Sequence, residues 1–281
     1  MTDKIFKQLL FVLSLIVLFI TAGMIYSLVS GSLPALREFG IFHFISSSEW
    51  DPKAENYGAL PFIVGTLLTS FLALLISLPF SLSIALFTGE YYKNSRFSRI
   101  ISSFVNLLSG VPSIVYGLWG FYSIRPIIIN MGISSNGLGI LTSSIVLAIM
   151  IIPYASSLSS EFLGMVPANL KEASYSLGST RLEMIRNVMI PYASSGVTAS
   201  YILALGRALG ETMAVTMLIG NTNNLPSSLI ATGNSMASII ANQFGEADGL
   251  KLSFLIAIAL LLMLITAFIN LIGKLIIRRF Q

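Results

Sequence analysis

Two charged residues, Arg207 and Glu211, stand four positions apart inside one long apolar stretch of the chain, Ser195–Gly220. Side chains at positions i and i+4 of a helix meet, so the spacing predicts an ion pair. A charge at bilayer depth costs roughly 2.5–3.5 kcal/mol on insertion scales and usually faces a bundle interior or a water-filled path. The pair therefore indicates an anion path or gate, in which Arg207 supplies positive charge and Glu211 tempers it. The alternative is a self-neutralising pair that only fixes helix packing.

The glycines beside this pair bear on how the helix packs. Gly206 and Gly210 form a GxxxG pattern, which permits the close approach of another helix. We therefore expect a neighbouring helix to pack against this segment.

The polar loop before this stretch carries strong signals for short helices. Glu172 suits the first turn of one helix, and Gly178 can adopt the left-handed conformation that ends it. Thr180 and Glu183 then match a capping box that starts a second helix. Two short helices meeting at a glycine would form a compact knob that docks into a soluble partner and moves with it as a lever. A generic interfacial helix-turn-helix is the alternative.

The composition requires lipid as part of the solvent. Of 281 residues, 55% are hydrophobic and only 10% are charged, whereas a water-facing surface needs about a quarter charged residues. A bilayer core of ~30 Å takes roughly 20 apolar residues per helix. The sequence thus predicts an all-α integral membrane protein with about six transmembrane helices, near Gln8–Ser30, Leu60–Thr88, Ile100–Ile124, Leu138–Ser157, Ser195–Gly220 and Leu252–Ile276. The first stretch is too long for the apolar region of a cleaved signal peptide, so we expect it to remain as a span.

Lys and Arg predict the orientation, because cytoplasmic loops retain them. The two ends and the even-numbered loops together hold 11 of these residues, and the odd-numbered loops hold 4. Both termini are therefore predicted to be cytoplasmic, with the segments 31–59 and 221–251 facing outward.

Other features predict the shape of the spans. Pro79, Pro112 and Pro153 lie inside apolar stretches, where each proline removes a backbone donor and favours a kink. In the second outward segment, one amphipathic helix across the outer mouth is predicted from five apolar residues, Leu229, Met236, Ile239, Ile240 and Phe244.

Several kinds of chemistry are not supported by the sequence. It contains no cysteine and one histidine, His43, which excludes disulfides and thiolate metal sites and leaves no histidine cluster. It also has no G-x-x-x-x-G-K-[ST] phosphate loop, so energy from ATP would have to come from a partner. We therefore predict no catalytic residue, metal site or cofactor. A secondary transporter or channel driven by an ion gradient is the alternative class, although no internal repeat is evident.

The loop string resembles the EAA motif of ABC-importer permeases. It reads Glu172-Ala173-Ser174, three residues, Gly178, nine residues, then Val188-Met189-Ile190-Pro191. It departs from the family at Ser174, Val188 and Ile190, which are small or conservative changes. The resemblance implies a type I ABC-importer permease fold. It also implies cytoplasmic coupling helices that sit in a groove of the ATP-hydrolysing subunit, with Glu172, Ala173, Gly178 and Pro191 in the coupling motif.

Further strings resemble the PstC-type permease of bacterial phosphate importers. They are Gly206-Arg207-Ala208-Leu209-Gly210-Glu211-Thr212-Met213-Ala214-Val215, Glu49-Trp50-Asp51-Pro52, and Gly110-Val111-Pro112-Ser113-Ile114-Val115-Tyr116-Gly117. The third string is equally similar to the sister PstA type. The resemblance implies import of phosphate by alternating access, with a PstA-like permease, an ABC ATPase dimer (PstB-like) and an external phosphate-binding protein (PstS-like) as partners. Another oxyanion, such as sulfate or molybdate, and the PstA-type subunit remain alternatives.

These readings together divide the chain. Residues 1–59 are expected to form an N-terminal transmembrane helix and outer loop. Residues 60–281 are expected to form the permease domain, with the coupling loop at 161–191. A multi-pass position in the bacterial plasma (inner) membrane follows.

Overall fold

The chain folds into a bundle of helices with one small hairpin. The computed structural model describes residues 2–93 and 95–279. In chain order the helices are α1 (Thr2–Phe39), α2 (Ile41–Ser46), α3 (Leu60–Leu86), α4 (Arg96–Ser109), α5 (Ser113–Trp119), α6 (Arg125–Asn130), α7 (Ile140–Gly164), α8 (Ala168–Ser176), α9 (Arg181–Met184), α10 (Ile190–Leu209), α11 (Met213–Leu218), α12 (Met236–Gln243) and α13 (Gly249–Arg279). The strands β1 (Trp50–Asp51) and β2 (Asn56–Tyr57) pair antiparallel.

Five continuous helical segments in the described residues are long and apolar enough to cross a membrane, which agrees with the predicted count when one bent pair is added. They are Lys4–Phe39, Leu60–Tyr91, Ile140–Gly164, Arg181–Leu209 and Gly249–Arg278. The bent pair, Arg96–Ser109 with Ser113–Asn130, turns by 97°. The expectation of about six spans is confirmed if this pair counts as one.

The third span, predicted near Ile100–Ile124 with a kink at Pro112, is broken at that proline, as expected. Helix α4 ends at Ser109, and Pro112, with an extended ψ of 139°, precedes the first residue of α5. Proline lacks the N–H that would continue the ladder, so a break at this position is expected. By contrast, α3 and α7 run through Pro79 and Pro153 without a break.

The predicted fifth span, Ser195–Gly220, is wrong in its bounds. A π-helical turn, Ile185–Met189, joins α9 to α10, so the helical run begins at Arg181 and ends at Leu209. Gly210 has φ −90° and ψ 0°, and α11 begins only at Met213. The apolar stretch is therefore two helices with a break between them.

The end of the bundle that carries β1 and β2, here called the hairpin side, is closed by the segment between α11 and α13. The N–H groups of Ile140 and Leu141 donate to the carbonyls of Ala231 and Leu229, at 3.1 and 2.9 Å. A Cβ at Gly65 would collide with the carbonyl oxygen of Asn234, so only glycine fits there.

The amphipathic helix predicted for this segment is partly right. Met236, Ile239 and Ile240 lie on α12, and the first two are fully buried. Leu229 lies outside the helix, and Phe244 belongs to a following 3₁₀ turn; both are exposed. The helix is thus shorter than the apolar pattern indicated, and its apolar side is buried in the bundle.

Helix α1 packs against the bundle through its last third. The Ser253 hydroxyl accepts from the N–H of Ala35 at 3.1 Å and donates to the carbonyl of Gly31 at 2.7 Å. The hydroxyl is thus inserted between the Ala35 N–H and the Gly31 carbonyl, which would bond to each other directly in a regular helix. Pro34 lies next to this insertion inside the helix. The earlier part of α1 is exposed along its apolar side chains.

Candidate functional site

Arg207 lies in the last turn of α10, at the break in the fifth span. Its guanidinium carbon stands 4.9 Å from the ring centroid of Tyr154 on α7, within the range of a cation–π contact. Its Nε is buried, and no described residue accepts a hydrogen bond from it. A buried guanidinium nitrogen without a partner is costly unless another group supplies the acceptor. An acceptor for this Nε would have to come from water or from a group outside this chain's described residues.

Glu211 does not pair with Arg207, so the predicted ion pair is wrong. No ion pair within 4.0 Å joins them in the described part of the chain. Instead, Glu211 Oε1 accepts from the N–H of Ala214 at 3.3 Å, which caps the start of α11. The reason is geometric: α10 ends at Leu209, so positions 207 and 211 are no longer one turn apart on one helix.

The expected close helix approach is seen at one of the two glycines. A Cβ at Gly206 would lie 3.4 Å from Asn270 Oδ1 on α13, whereas a Cβ at Gly210 would meet only backbone of its own segment within 4 Å. Gly206 thus faces a neighbouring helix, whereas Gly210 is the residue that follows the end of α10.

Above the break, towards the hairpin side, lies a polar network that the sequence did not indicate. The Ser238 hydroxyl lies 2.6 Å from Thr216 Oγ1 and 3.1 Å from Asn221 Oδ1. Asn221, with φ +53°, donates through Nδ2 to the Thr216 carbonyl at 2.8 Å. In the sequence, the helical spacing of Thr212 and Thr216 was the one local sign of a polar face here. The residues that bond to Thr216, namely Ser238 and Asn221, come from other segments.

The hairpin carries the Glu49-Trp50-Asp51-Pro52 string. The Trp50 ring packs edge-on to the rings of Tyr57 and Phe62 and is 6% exposed, so its role here is packing. Burial raises the pKa of the Tyr57 phenol above its ordinary value, and the carboxylates of Glu55 and Asp248 raise it further. The phenol therefore stays protonated.

The motif loop has the predicted turn chemistry. Gly178 has φ +86°, the left-handed conformation, and nothing lies within 4 Å of a Cβ placed there. The Thr180 hydroxyl accepts from the Glu183 N–H at 3.4 Å, and Glu183 Oε2 accepts from the Thr180 N–H at 2.8 Å. The capping box is thus confirmed, as is the glycine at the turn.

The second helix of the predicted knob is not separate. Residues Arg181–Leu209 form one continuous helical run, so α9 is the first turn of the fifth span. Pro191 therefore lies inside that span, where the π-helical turn ends just before it. Because a proline cannot donate to the residue four positions earlier, a local change of hydrogen-bond pattern at this point is expected.

The loop is fastened to the end of the second span by contacts that the sequence did not indicate. Lys171 on α8 forms an ion pair with Glu90, and these side chains are only 15% and 11% exposed. Arg181 donates through Nη2 to the carbonyls of Glu90 and Tyr91, both at 3.0 Å, and lies 4.4 Å above the Tyr91 ring. We call these four residues the loop clamp. The sequence showed their charges but not their pairing.

The outer surface of the loop is free. Glu172, Ala173 and Gly178 are exposed, and Leu177 and Leu182 beside them are 88% and 66% exposed. Three of the four predicted motif residues are therefore exposed within the short segment 172–182. We call its exposed residues the loop face; they are Glu172, Ala173, Leu177, Gly178 and Leu182. Pro191 lies apart from it.

The fold and site define a multi-pass helical permease with one polar break inside a span and an exposed loop at one end. The family described as "Binding-protein-dependent transport system inner membrane component" matches residues 77–281. The chain belongs to this family and is a multi-pass inner-membrane protein.

Relatives over nearly the full length are more specific. The chain is 40% identical over 298 residues to "Phosphate transport system permease protein PstC" of Haemophilus influenzae, which covers 99% of this chain and 94% of the relative. It is 34% identical to the "Probable phosphate transport system permease protein PstC" of Methanocaldococcus jannaschii, covering 89% and 85%.

Solved structures support the fold alone. An inward-facing MetNI methionine ABC transporter chain aligns with a TM-score of 0.60 at 20% identity, covering 80% of this chain and 94% of that one. An amino acid ABC transporter chain aligns with a TM-score of 0.54 at 21% identity, covering 78% and 92%. The all-α permease architecture expected from the sequence is confirmed.

Proposed function

We propose that this chain is the PstC-type, channel-forming permease subunit of an ATP-driven importer, and that it moves inorganic phosphate across the plasma membrane by alternating access. The PstC relatives support the substrate. The structural observation that carries the proposal is the buried Nε of Arg207, which has no partner among the described residues. An oxyanion has the charge and the acceptor geometry that a guanidinium binds best.

Arg207 would act as a transient partner for phosphate, not as a permanent ion-pair member. The break at Gly210–Thr212 removes helical backbone bonds and brings polar groups to the same depth, as in discontinuous spans that line a substrate path. Glu211 holds the start of α11, so its part in transport is to maintain the break. Both residues remain proposed path residues, with separate tasks.

We propose three kinds of partner, and the family and the exposed loop support them. A PstA-like permease would complete the channel, a PstB-like ATPase dimer would receive the loop face, and a PstS-like protein would deliver phosphate at the hairpin side. The loop clamp would pass motion of α8 to the end of the second span, because Lys171 and Arg181 both contact Glu90. We propose no enzymatic activity for this chain itself.

The proposed orientation places both termini and the loop end in the cytoplasm. The 11-to-4 distribution of basic residues supports it. We also propose that residues 1–59 form an accessory helix and outer loop and that 60–281 form the permease domain. The weak burial of α1 outside its last third is consistent with this division.

The direct test is transport by the purified complex in vesicles, with labelled phosphate and binding protein outside and ATP inside. Uptake should require ATP and should resist an excess of unlabelled sulfate or molybdate. Uptake without ATP would favour an ion-driven transporter, and strong competition by sulfate or molybdate would favour a different oxyanion. Identification of the co-purified subunits tests the partners.

A further inference from the structure

We infer that this subunit holds a second oxyanion station, separate from Arg207, in the cavity between α4, the end of the second span and the end of α7. The cavity has a volume of ≈ 840 Å³ and adjoins a smaller one of ≈ 230 Å³, since Thr88, Ser102, Ser160 and Glu161 line both. The cations are Lys93 and Arg99. This inference rests on the proposed function, because it assigns the station to the transported phosphate on its way to the cytoplasm.

Helix α4 gives the cavity its polar wall. Ser98, Ser102 and Asn106 follow each other at intervals of four and line the cavity, so they form one face of the helix. The opposite face carries large exposed apolar residues, Phe97, Ile100, Phe104 and Leu107. The helix therefore turns hydroxyl and amide groups inwards and leaves its apolar side for lipid or a neighbouring subunit.

The positive charges are available for a ligand. Lys93 donates to the Gly164 carbonyl at 3.2 Å, which uses one of the three protons of its ammonium group. The guanidinium of Arg99 forms no hydrogen bond or ion pair with the described residues. Glu161, the acidic residue in the lining, pairs with neither of them. Two cations and one carboxylate leave the cavity with an excess of positive charge, whereas nearby Lys171 is neutralised by Glu90.

Uncommitted hydroxyls complete the station. Thr88 and Ser160 bond to each other at 2.9 Å and form a fixed part of the wall. The hydroxyls of Ser102 and Ser157 have no hydrogen-bond partner in the described part of the chain. A phosphate oxygen accepts hydrogen bonds from serine hydroxyls and from guanidinium or ammonium groups alike. The lining thus offers the hydrogen-bond donors that a phosphate site needs. No acceptor among the described residues occupies the guanidinium of Arg99.

The cavity lies on the same face of α7 as the ring that contacts Arg207. Tyr154, Ser157 and Glu161 occupy positions i, i+3 and i+7, and seven residues of helix span about 10 Å. Tyr154 stacks on Arg207, whereas Ser157 and Glu161 line the cavity. An anion released from Arg207 would therefore meet this station about two helical turns further along one helix face.

The absence of cysteine from this chain permits a clean test. Ser102→Cys is introduced into the complete transporter in vesicles, and its thiol is titrated with an anionic and a cationic methanethiosulfonate of similar size. The reaction is read from the mass of this subunit alone. Ser103→Cys is the matched control, because Ser103 is the exposed neighbour outside the cavity lining.

The expected result is a preference of Ser102→Cys for the anionic reagent that falls by on the order of tenfold when the local positive charges are removed. Ser103 is one helical turn from Arg99 and shares part of that potential, but it lies outside the lining, so only Ser102→Cys should be protected by phosphate. Millimolar inorganic phosphate should slow the labelling. Both effects should disappear when Lys93→Gln and Arg99→Gln are added, and should persist with Arg96→Gln, a basic residue of α4 outside the lining. Equal reactivity with the two reagents, or phosphate protection that survives the loss of both cations, would overturn the inference.

Transport separates failure of this inference from failure of the proposed function. If the unmodified complex imports phosphate while Ser102→Cys shows neither charge preference nor protection, only the station is wrong. If the complex does not import phosphate at all, the proposed function is wrong, and with it the assignment of the station to phosphate. Lys93 would then serve only to cap the end of α7 through the Gly164 carbonyl.

Discussion

Lys171 of helix α8 pairs with Glu90 at the end of the second span, and both side chains are mostly buried. The two residues are 81 positions apart, so the contact joins the motif loop to a different span from the one that the loop continues into. Arg181 reinforces the contact through the carbonyls of Glu90 and Tyr91. We therefore propose that a displacement of the loop would be transmitted to the second and fifth spans together.

Breaking this pair should impair coupling more than assembly. Removing one partner of a buried pair leaves an uncompensated charge and costs about 3–5 kcal/mol. We expect Lys171→Met to lower the amount of phosphate carried per ATP hydrolysed, and Lys171→Met with Glu90→Gln to recover part of it. Arg186→Gln is the control, because Arg186 is an exposed basic residue of the helical run Arg181–Leu209 that follows the loop. An unchanged transport-to-hydrolysis ratio in Lys171→Met would show that the clamp does not transmit motion.

The left-handed turn of the loop should depend on residue 178 through its backbone alone. Because Gly178 has φ +86° and open space around its Cβ position, Gly178→Val is strained but not sterically blocked. The strain is roughly 1–2 kcal/mol for a residue with a Cβ. We expect weaker ATPase binding and slower uptake in Gly178→Val, with normal membrane insertion.

Asparagine supplies the control at this position, since it tolerates the left-handed conformation better than other non-glycine residues. Gly178→Asn should retain most of the ATPase binding, measured by co-purification. Equal losses in both variants would mean that the small size of glycine matters, and not its conformation.

Arg207 and Glu211 should act independently. Since they form no ion pair, a double-mutant cycle with glutamine at each position should give a coupling energy within about 0.5 kcal/mol of zero. Glu211→Gln should weaken the cap of α11 and lower the stability of the complex, whereas Arg207→Gln should lower uptake per assembled complex. If the double variant recovered the stability and uptake that each single variant loses, a self-neutralising ion pair that fixes helix packing would be the better explanation.

The orientation can be tested with single cysteines in the cysteine-free chain. A thiol at Ser48, next to the hairpin, should react with an impermeant reagent added to intact spheroplasts. A thiol at Ser179, beside the turn of the loop, should react only after the membrane is opened. The reverse pattern would contradict the proposed topology.

The turn of the loop could be predicted from residues close together in the sequence, whereas the contacts between distant segments could not. The capping box of Thr180 and Glu183 and the turn at Gly178 involve residues within a few positions of each other, so their spacing was sufficient. The clamp joins Lys171 and Arg181 to residues 81 to 91 positions away, and hydropathy contains no information about such pairing.

The break in the fifth span was missed for a related reason. Apolar character continues across Gly210, so a length criterion extends the helix to Gly220. The chain instead ends α10 at Leu209, and Glu211 caps a new helix. Because of that break Glu211 is not placed to pair with Arg207, whose buried Nε is left without an acceptor, so the i, i+4 rule predicted the wrong contact.

The most direct test of the account is ATP-dependent uptake of labelled phosphate by vesicles that contain the complete transporter with Arg207→Gln, normalised to assembled complex. Loss of a charged hydrogen-bond donor costs about 1.5–3 kcal/mol, which corresponds to roughly a ten- to hundredfold decrease. Arg125→Gln is the control, because Arg125 also stacks on an aromatic ring, at 4.5 Å from Phe121, but its Nε already donates to the Asn136 carbonyl. The account predicts that uptake by Arg207→Gln falls by at least about tenfold while Arg125→Gln stays near the unmodified level. Uptake by Arg207→Gln close to that of the unmodified complex would contradict it.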